Sequence, residues 1–164
     1  AVSKEVAKSS VLAKKDCLIM SVGGLIDAQD LFEQAKINGC HIYIPSGAIA
    51  GIDAIKAASA SKIEKIILTT RKPPSAFIGV PYVLKRNINL EHLKEETEIF
   101  SGDVDTAVRL FPQNINVAAT LSLASHCKEK ISVIILASPG YKNNVHEIEV
   151  MTHSSIEARG VPKE

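Results

Sequence analysis

The chain has 164 residues, of which 46% are apolar and 23% charged, the balance of a globular protein long enough to bury a real core. Nineteen basic against eighteen acidic side chains leave a net charge of +1, which argues against nucleic-acid binding driven by phosphate neutralisation. The longest nearly apolar stretch, Cys17 to Ile26, is well short of the roughly 18 residues that a membrane-crossing helix requires, so no membrane partner is expected.

Val2 to Lys14 carries Val2, Val6, Val11 and Leu12 among lysines and predicts a helix. It contains no apolar core of a signal peptide. Cys17, Cys40 and Cys127 are widely spaced, odd in number and form no C-x-x-C pair. Reduced thiols in a cytoplasmic protein are therefore expected, rather than a disulfide framework or a zinc site. Cys17 to Val22 is a continuous apolar run ending in Gly23-Gly24, the signature of a strand buried on both faces of a parallel sheet. Asp27 is placed to cap a helix over Ala28 to Asn38, closed by Gly39. His41 to Ile44 predicts a further strand, ended by Pro45. Helix, strand, helix and strand joined by short links predict βα units on a parallel sheet.

The second part reads differently. Ser46 to Gly51 leads into an Ala-rich helix through about Ala60, and Ile63 to Thr70 predicts a strand broken by Arg71-Lys72-Pro73-Pro74. Ser75 to Arg86 reads as irregular, Asn89 to Glu96 as a short helix, Thr97 to Phe100 as a strand and Asp103 to Leu110 as a helix. Pro112 with Asn114 or Asn116 starts a helix over Val117 to His126. Lys130 to Ala137 and Val145 to Thr152 predict two strands, the second without clean alternation and so without a predicted register. The fold class expected is α/β, with a parallel-sheet unit over residues 1–45 followed by a mixed α+β domain over residues 46–164.

Four stretches place polar groups at element ends, where sites are built. Ser46-Gly47-Ala48 lies at a strand-to-helix junction; small residues there allow close approach to backbone N–H groups, although a tight turn with a capping serine is the favoured reading of this motif alone. Asn114 and Asn116 precede an Ala-rich helix; one of them suffices as a cap, and the other offers a donor and an acceptor to a carboxamide ligand. His146 follows a polar turn at a strand start and is the candidate acid–base, a setting that His41, His92, His126 and His153 lack. Thr70, Arg71 and Lys72 end a strand held by two prolines and could pair with a dicarboxylate or serve simply as solvated charges. No H-E-x-x-H, G-x-S-x-G, G-x-x-x-x-G-K-[ST] or G-x-G-x-x-G pattern occurs, so neither a metal site nor a serine nucleophile is expected.

Taken together, Ile44 to Ala54, Thr70 to Pro74, Phe111 to Thr120 and Asn144 to Ile148 resemble the L-aspartate dehydrogenase family in order and approximate spacing, and Ser21 to Gly24 resembles the end of a cofactor-domain strand. The resemblance is thinnest at Ser75 to Glu98 and after Met151. It implies a cytoplasmic enzyme, often dimeric, that oxidises L-aspartate to iminoaspartate with NAD or NADP, in a Rossmann domain followed by a mixed α/β catalytic domain. His146 matches the family's active-site histidine, and Ala48 and Asn116 match positions that contact the cofactor. Ser46, Thr70 and Lys72 are the candidate substrate ligands by charge and placement. Residues 1–45 would then be the C-terminal half of a Rossmann-type sheet without its pyrophosphate turn, and the chain is expected to be a fragment that forms a homodimer when complete. A related oxidoreductase acting on another amino acid or imine, and a non-catalytic interaction domain, are the alternative readings.

Overall fold

A computed structural model describes residues 2–111, 116–153 and 158–160. The chain opens with α1 (Val2–Leu12), β1 (Cys17–Leu18), α2 (Gln29–Asn38) and β2 (Ile42–Tyr43). β1 and β2 pair in parallel around α2, with Cys17 opposite Ile42, so the expected βαβ unit forms. Its strands are shorter than predicted. The Ile19 N–H still donates to the Tyr43 carbonyl at 2.9 Å, but the next partners would include Pro45, which has no N–H to continue a ladder. Val22–Leu25 turns instead into a short 3₁₀ helix. Gly39 closes α2 in the left-handed conformation, its N–H reaching the Ala35 and Lys36 carbonyls, as the glycine predicts. Asp27 does not cap this helix: Ala28 stands at the cap without a side-chain bond, and the Asp27 carboxylate instead accepts from Lys128 at 2.9 Å.

The larger sheet has five strands: β3 (Ile63–Lys72), β4 (Thr97–Asp103), β5 (Ile131–Ala137), β6 (Val145–Thr152) and β7 (Ala158–Gly160). Their order is β4-β5-β3-β6-β7. β3 runs parallel to β5 and antiparallel to β6, while β4 is antiparallel to β5. This mixed sheet confirms the expected change of architecture along the chain. β3 is two residues longer than predicted, because Arg71 and Lys72 still find ladder partners in Leu136 and Ala137; the chain breaks only at Pro73. The register of β6 places Val145, His146, Ile148 and Val150 inside.

The helices α3 (Ile52–Ser59), α4 (Pro81–Lys85), α5 (Val104–Leu110) and α6 (Asn116–Ser125) complete the fold. Ile66 and Leu68 of β3, Val104 and Ala107 of α5, Ala118 and Leu121 of α6, and Ile131, Val133 and Ile135 of β5 share one core. Two predicted elements differ. α3 starts only after Gly51, which sits at φ 77°, so Ser46 does not cap it. Asn89 to Glu96 forms turns and no helix, because the Asn89 side chain accepts the Glu91 N–H at 3.2 Å and so competes with the helical pattern. Pro112 and Asn114 lie outside the described residues.

Asp103 caps α5, accepting from the Thr106 N–H at 2.8 Å and from the Thr106 hydroxyl at 2.9 Å. The bond from the Thr106 backbone, then that from its hydroxyl, holds the Asp103 carboxyl below its ordinary range. Asp103→Ala is expected to cost about 1 kcal/mol at neutral pH. A carboxylate depressed in the folded state stabilises above its unfolded pKa of about 4 and loses that contribution as pH falls through the lower folded value. Urea unfolding of both proteins should therefore show a stability gap at neutral pH that closes in acid below about pH 4.

Candidate active site

Three of the six candidate residues meet in one cleft. Ser46 and Ala48 from the loop after β2 line it with Asn116, the first residue of α6, and with Met20, Val22 and Thr120. The cleft has a volume of about 240 Å³. The loop turns at Gly47, φ 60°, where a side chain would be strained, and the Ile49 N–H closes the turn on the Ser46 carbonyl at 3.2 Å. Ser46-Gly47-Ala48 is thus a tight turn, one of the two readings the sequence offered, but its serine caps no helix.

Asn116 is held by a contact that crosses from the N-terminal unit. The Gly23 N–H donates to Asn116 Oδ1 at 3.1 Å. A backbone N–H only donates, so the amide oxygen must face it, and Nδ2 is the end of the side chain left to donate. Lys128 braces the same junction, donating at 2.9 Å to both Asp27 and Asp105, which raises its pKa.

The other three candidates lie on β3 and β6. Thr70 and His146 are register partners. Both are 5% exposed, and Thr70 Oγ1 lies 3.0 Å from His146 Nδ1. Lys72 is two residues further along β3 on the same face and is also buried. α6 links the two groups: Asn116 lines the cleft, while Ala118 and Thr70 line one small void of about 10 Å³ beneath it.

Strand alternation separates the cations of the Thr70 to Pro74 motif. Arg71 lies on the opposite face and bonds Glu147 at 2.9 Å and Glu96 at 3.1 Å. Burial alone would lower its pKa, but the bond to Glu147 and the charge of Glu96 outweigh it, so the group is held more firmly charged. Ser138 Oγ donates to the same Glu96 carboxylate at 2.6 Å, fastening the chain just after β5. Of the two cations, Lys72 therefore shares the His146 face. This ion-pair network was not read from the sequence: Glu96 and Ser138 are 42 residues apart and carry no local signal. Gly23 as the partner of Asn116 was missed for the same reason.

A second cleft, about 300 Å³, adjoins the first through Ser46 and Thr120. A larger open groove, about 470 Å³ between Pro74 and Glu91, contains none of the candidate residues. Volume alone would favour that groove; what distinguishes the smaller cleft is that Ser46, Ala48 and Asn116 line it together. Among the described residues no three His, Cys, Asp or Glu side chains are grouped to hold a metal, and no helix is long and apolar enough to cross a membrane.

A family model described as aspartate dehydrogenase, C-terminal, matches residues 53–162. The chain is 48% identical over 141 residues to L-aspartate dehydrogenase of Methanosarcina barkeri, covering 84% of this chain and 52% of that protein. It is 37% identical over 164 residues to L-aspartate dehydrogenase of Bradyrhizobium diazoefficiens, covering 98% of this chain and 59% of that protein. The crystal structure of aspartate dehydrogenase from Thermotoga maritima superimposes with a TM-score of 0.80 and 27% identity, over 98% of this chain and 65% of that one. The chain spans about half the length of the curated relatives it matches.

Proposed function

The chain belongs to the aspartate dehydrogenase, C-terminal family, and from that premise we propose that it supplies the catalytic half of a cytoplasmic enzyme that oxidises L-aspartate to iminoaspartate with NAD or NADP. The observation that carries this reading is the convergence of Ser46, Ala48 and Asn116 on one cleft, with the buried Thr70–His146 pair beneath the helix that Asn116 begins. Residues 1–45 are read as the end of the cofactor domain and residues 46–164 as the catalytic domain.

The cleft fits the nicotinamide end of such a cofactor. Its walls are small or apolar, as a flat ring requires, and its one side-chain amide has a fixed polarity that presents a donor to a carboxamide oxygen. The volume suits one ring rather than a whole dinucleotide. When bound, the nicotinamide supplies the hydride acceptor. Asn116 and the Gly47–Ala48 backbone orient the ring, and Lys72, with Ser46, pairs with a substrate carboxylate. His146 takes a proton from the substrate ammonium, which leaves the nitrogen lone pair to form the C=N bond as hydride departs from Cα. Water that later attacks the imine would be held by the same ring.

The face of the larger sheet opposite His146, which carries Ile67 of β3 with Ile134 and Leu136 of β5, is the place we assign to the homodimer contact. Ile67, Ile134 and Leu136 remain half-buried there, and Met151 is exposed, a degree of apolar exposure that association would relieve.

A panel of amino acids given to the complete protein with NAD and NADP tests the reading. L-aspartate alone is expected to support reduction of the cofactor at a useful rate. Turnover of another amino acid in its place would sink the substrate assignment, and a chain that assembles with a partner but reduces no cofactor would point to an interaction domain.

A further inference from the structure

On the inner face of β3 the side chains run Ile66, Leu68, Thr70 and Lys72. Ile66 and Leu68 belong to the apolar core, and Thr70 continues their row with only 5% exposure. A buried hydroxyl in such a layer is costly unless bonded. Here it is bonded, at 3.0 Å, to Nδ1 of the residue directly across the ladder, His146. The adjoining void is about 10 Å³, at the lower limit for holding a water that could replace either partner.

We propose that Thr70 is a positioning residue for His146 rather than a substrate ligand: its hydroxyl oxygen accepts the Nδ1–H, fixing the imidazole tautomer so that Nε2 exchanges the proton with substrate. This rests on the reading of His146 as the base. Were the hydroxyl to donate to Nδ1, the ring proton would sit on Nε2, and that atom would have no lone pair to offer. With Nδ1 protonated, the Nε2 lone pair forms the new N–H bond. The electrons of the broken N–H bond stay on the substrate nitrogen, and the threonine proton does not move. The hydroxyl accepts equally from neutral imidazole and from imidazolium, so one geometry serves both states.

Thr70→Val keeps the shape of the side chain and removes the acceptor. In the complete protein it is expected to lower kcat roughly tenfold, the worth of about one hydrogen bond, with KM for aspartate and cofactor within about twofold, and Thr70→Ser is expected to restore most of the rate. An unchanged kcat in the valine variant would overturn the proposal, as would failure of serine to rescue. A second readout is independent of activity. Nitrogen chemical shifts of His146 in the complete protein are expected to report the Nδ1–H tautomer, lost in Thr70→Val; an Nε2–H tautomer in the unsubstituted protein would overturn the proposal. If His146→Ala retained full activity while the tautomer still followed Thr70, the base reading would fail and the pairing would stand as geometry alone, ending the catalytic claim for Thr70.

Discussion

His146→Ala in the complete protein is expected to lower kcat by roughly 10²–10⁴, the usual contribution of a positioned acid–base. The case for so large an effect is structural. The ring is 5% exposed, near the start of β6 between Val145 and Ile148 of the interior, and its Nδ1 lies 3.0 Å from the Thr70 hydroxyl. A histidine held this firmly keeps one ring orientation, which general base catalysis requires. Truncation also removes a buried ring and lowers stability. His146→Gln, which retains a hydrogen-bonding end without a titrating nitrogen, separates the two effects: kcat should fall about as far as in the alanine variant while the thermal midpoint drops less. Activity within about threefold of the parent in both variants would take His146 out of the chemistry.

The second large effect is expected at Asn116. Asn116→Asp keeps an oxygen to accept the Gly23 N–H, now at 3.1 Å, but loses the Nδ2 donor and places a negative charge where the carboxamide oxygen would lie. The cofactor dissociation constant should rise roughly 10- to 100-fold, corresponding to a lost hydrogen bond plus an unsatisfied polar contact. Asp is as good a residue as Asn at the start of a helix, and its charge suits the positive end of α6. Folding stability should therefore stay within about 0.5 kcal/mol of the parent. Asn116→Ala, by contrast, also frees the Gly23 N–H and should lose both binding and stability. Calorimetric titration with NAD and NADP alongside thermal unfolding distinguishes these outcomes. Unaltered binding in Asn116→Asp would place the ring elsewhere.

Much of the fold was legible in the sequence where one signal acted alone. Ile131 to Ala137 is apolar but for Ser132 and forms β5 almost as read. Gly39 ends a helix through a left-handed backbone that few other residues adopt, and Asp103 starts one through a capping carboxylate. The failures occur where a tertiary partner decides. Arg71 and Lys72 look like breakers beside two prolines, yet ladder partners 65 residues away draw them into β3. Asp27 looks like a cap, yet Lys128, distant by 101 residues, takes its carboxylate.

The candidate site divides in the same way. Ser46 and Ala48 stand on one motif and Asn116 on another, and the sequence offered the first as a backbone-lined turn and the second as an amide suited to a carboxamide ligand. What the sequence could not convey was polarity and facing. Thr70, Arg71 and Lys72 are consecutive and read as one polar patch, but the two-residue period of a strand sends Arg71 to Glu96 and Glu147 and leaves Thr70 and Lys72 with His146. Thr70, a candidate substrate ligand by its neighbourhood, has its hydroxyl 3.0 Å from the histidine ring, a pairing no local signal announced.

The most direct measurement is the fate of the substrate's own hydrogen. L-Aspartate deuterated at Cα, given to the complete protein with NAD or NADP, is expected to transfer its deuterium to C4 of the nicotinamide, with a slower turnover than protiated aspartate when chemistry limits the rate. Deuterium recovered in water, or aspartate left unconsumed while the deuterium stays in place, would contradict hydride transfer at this site.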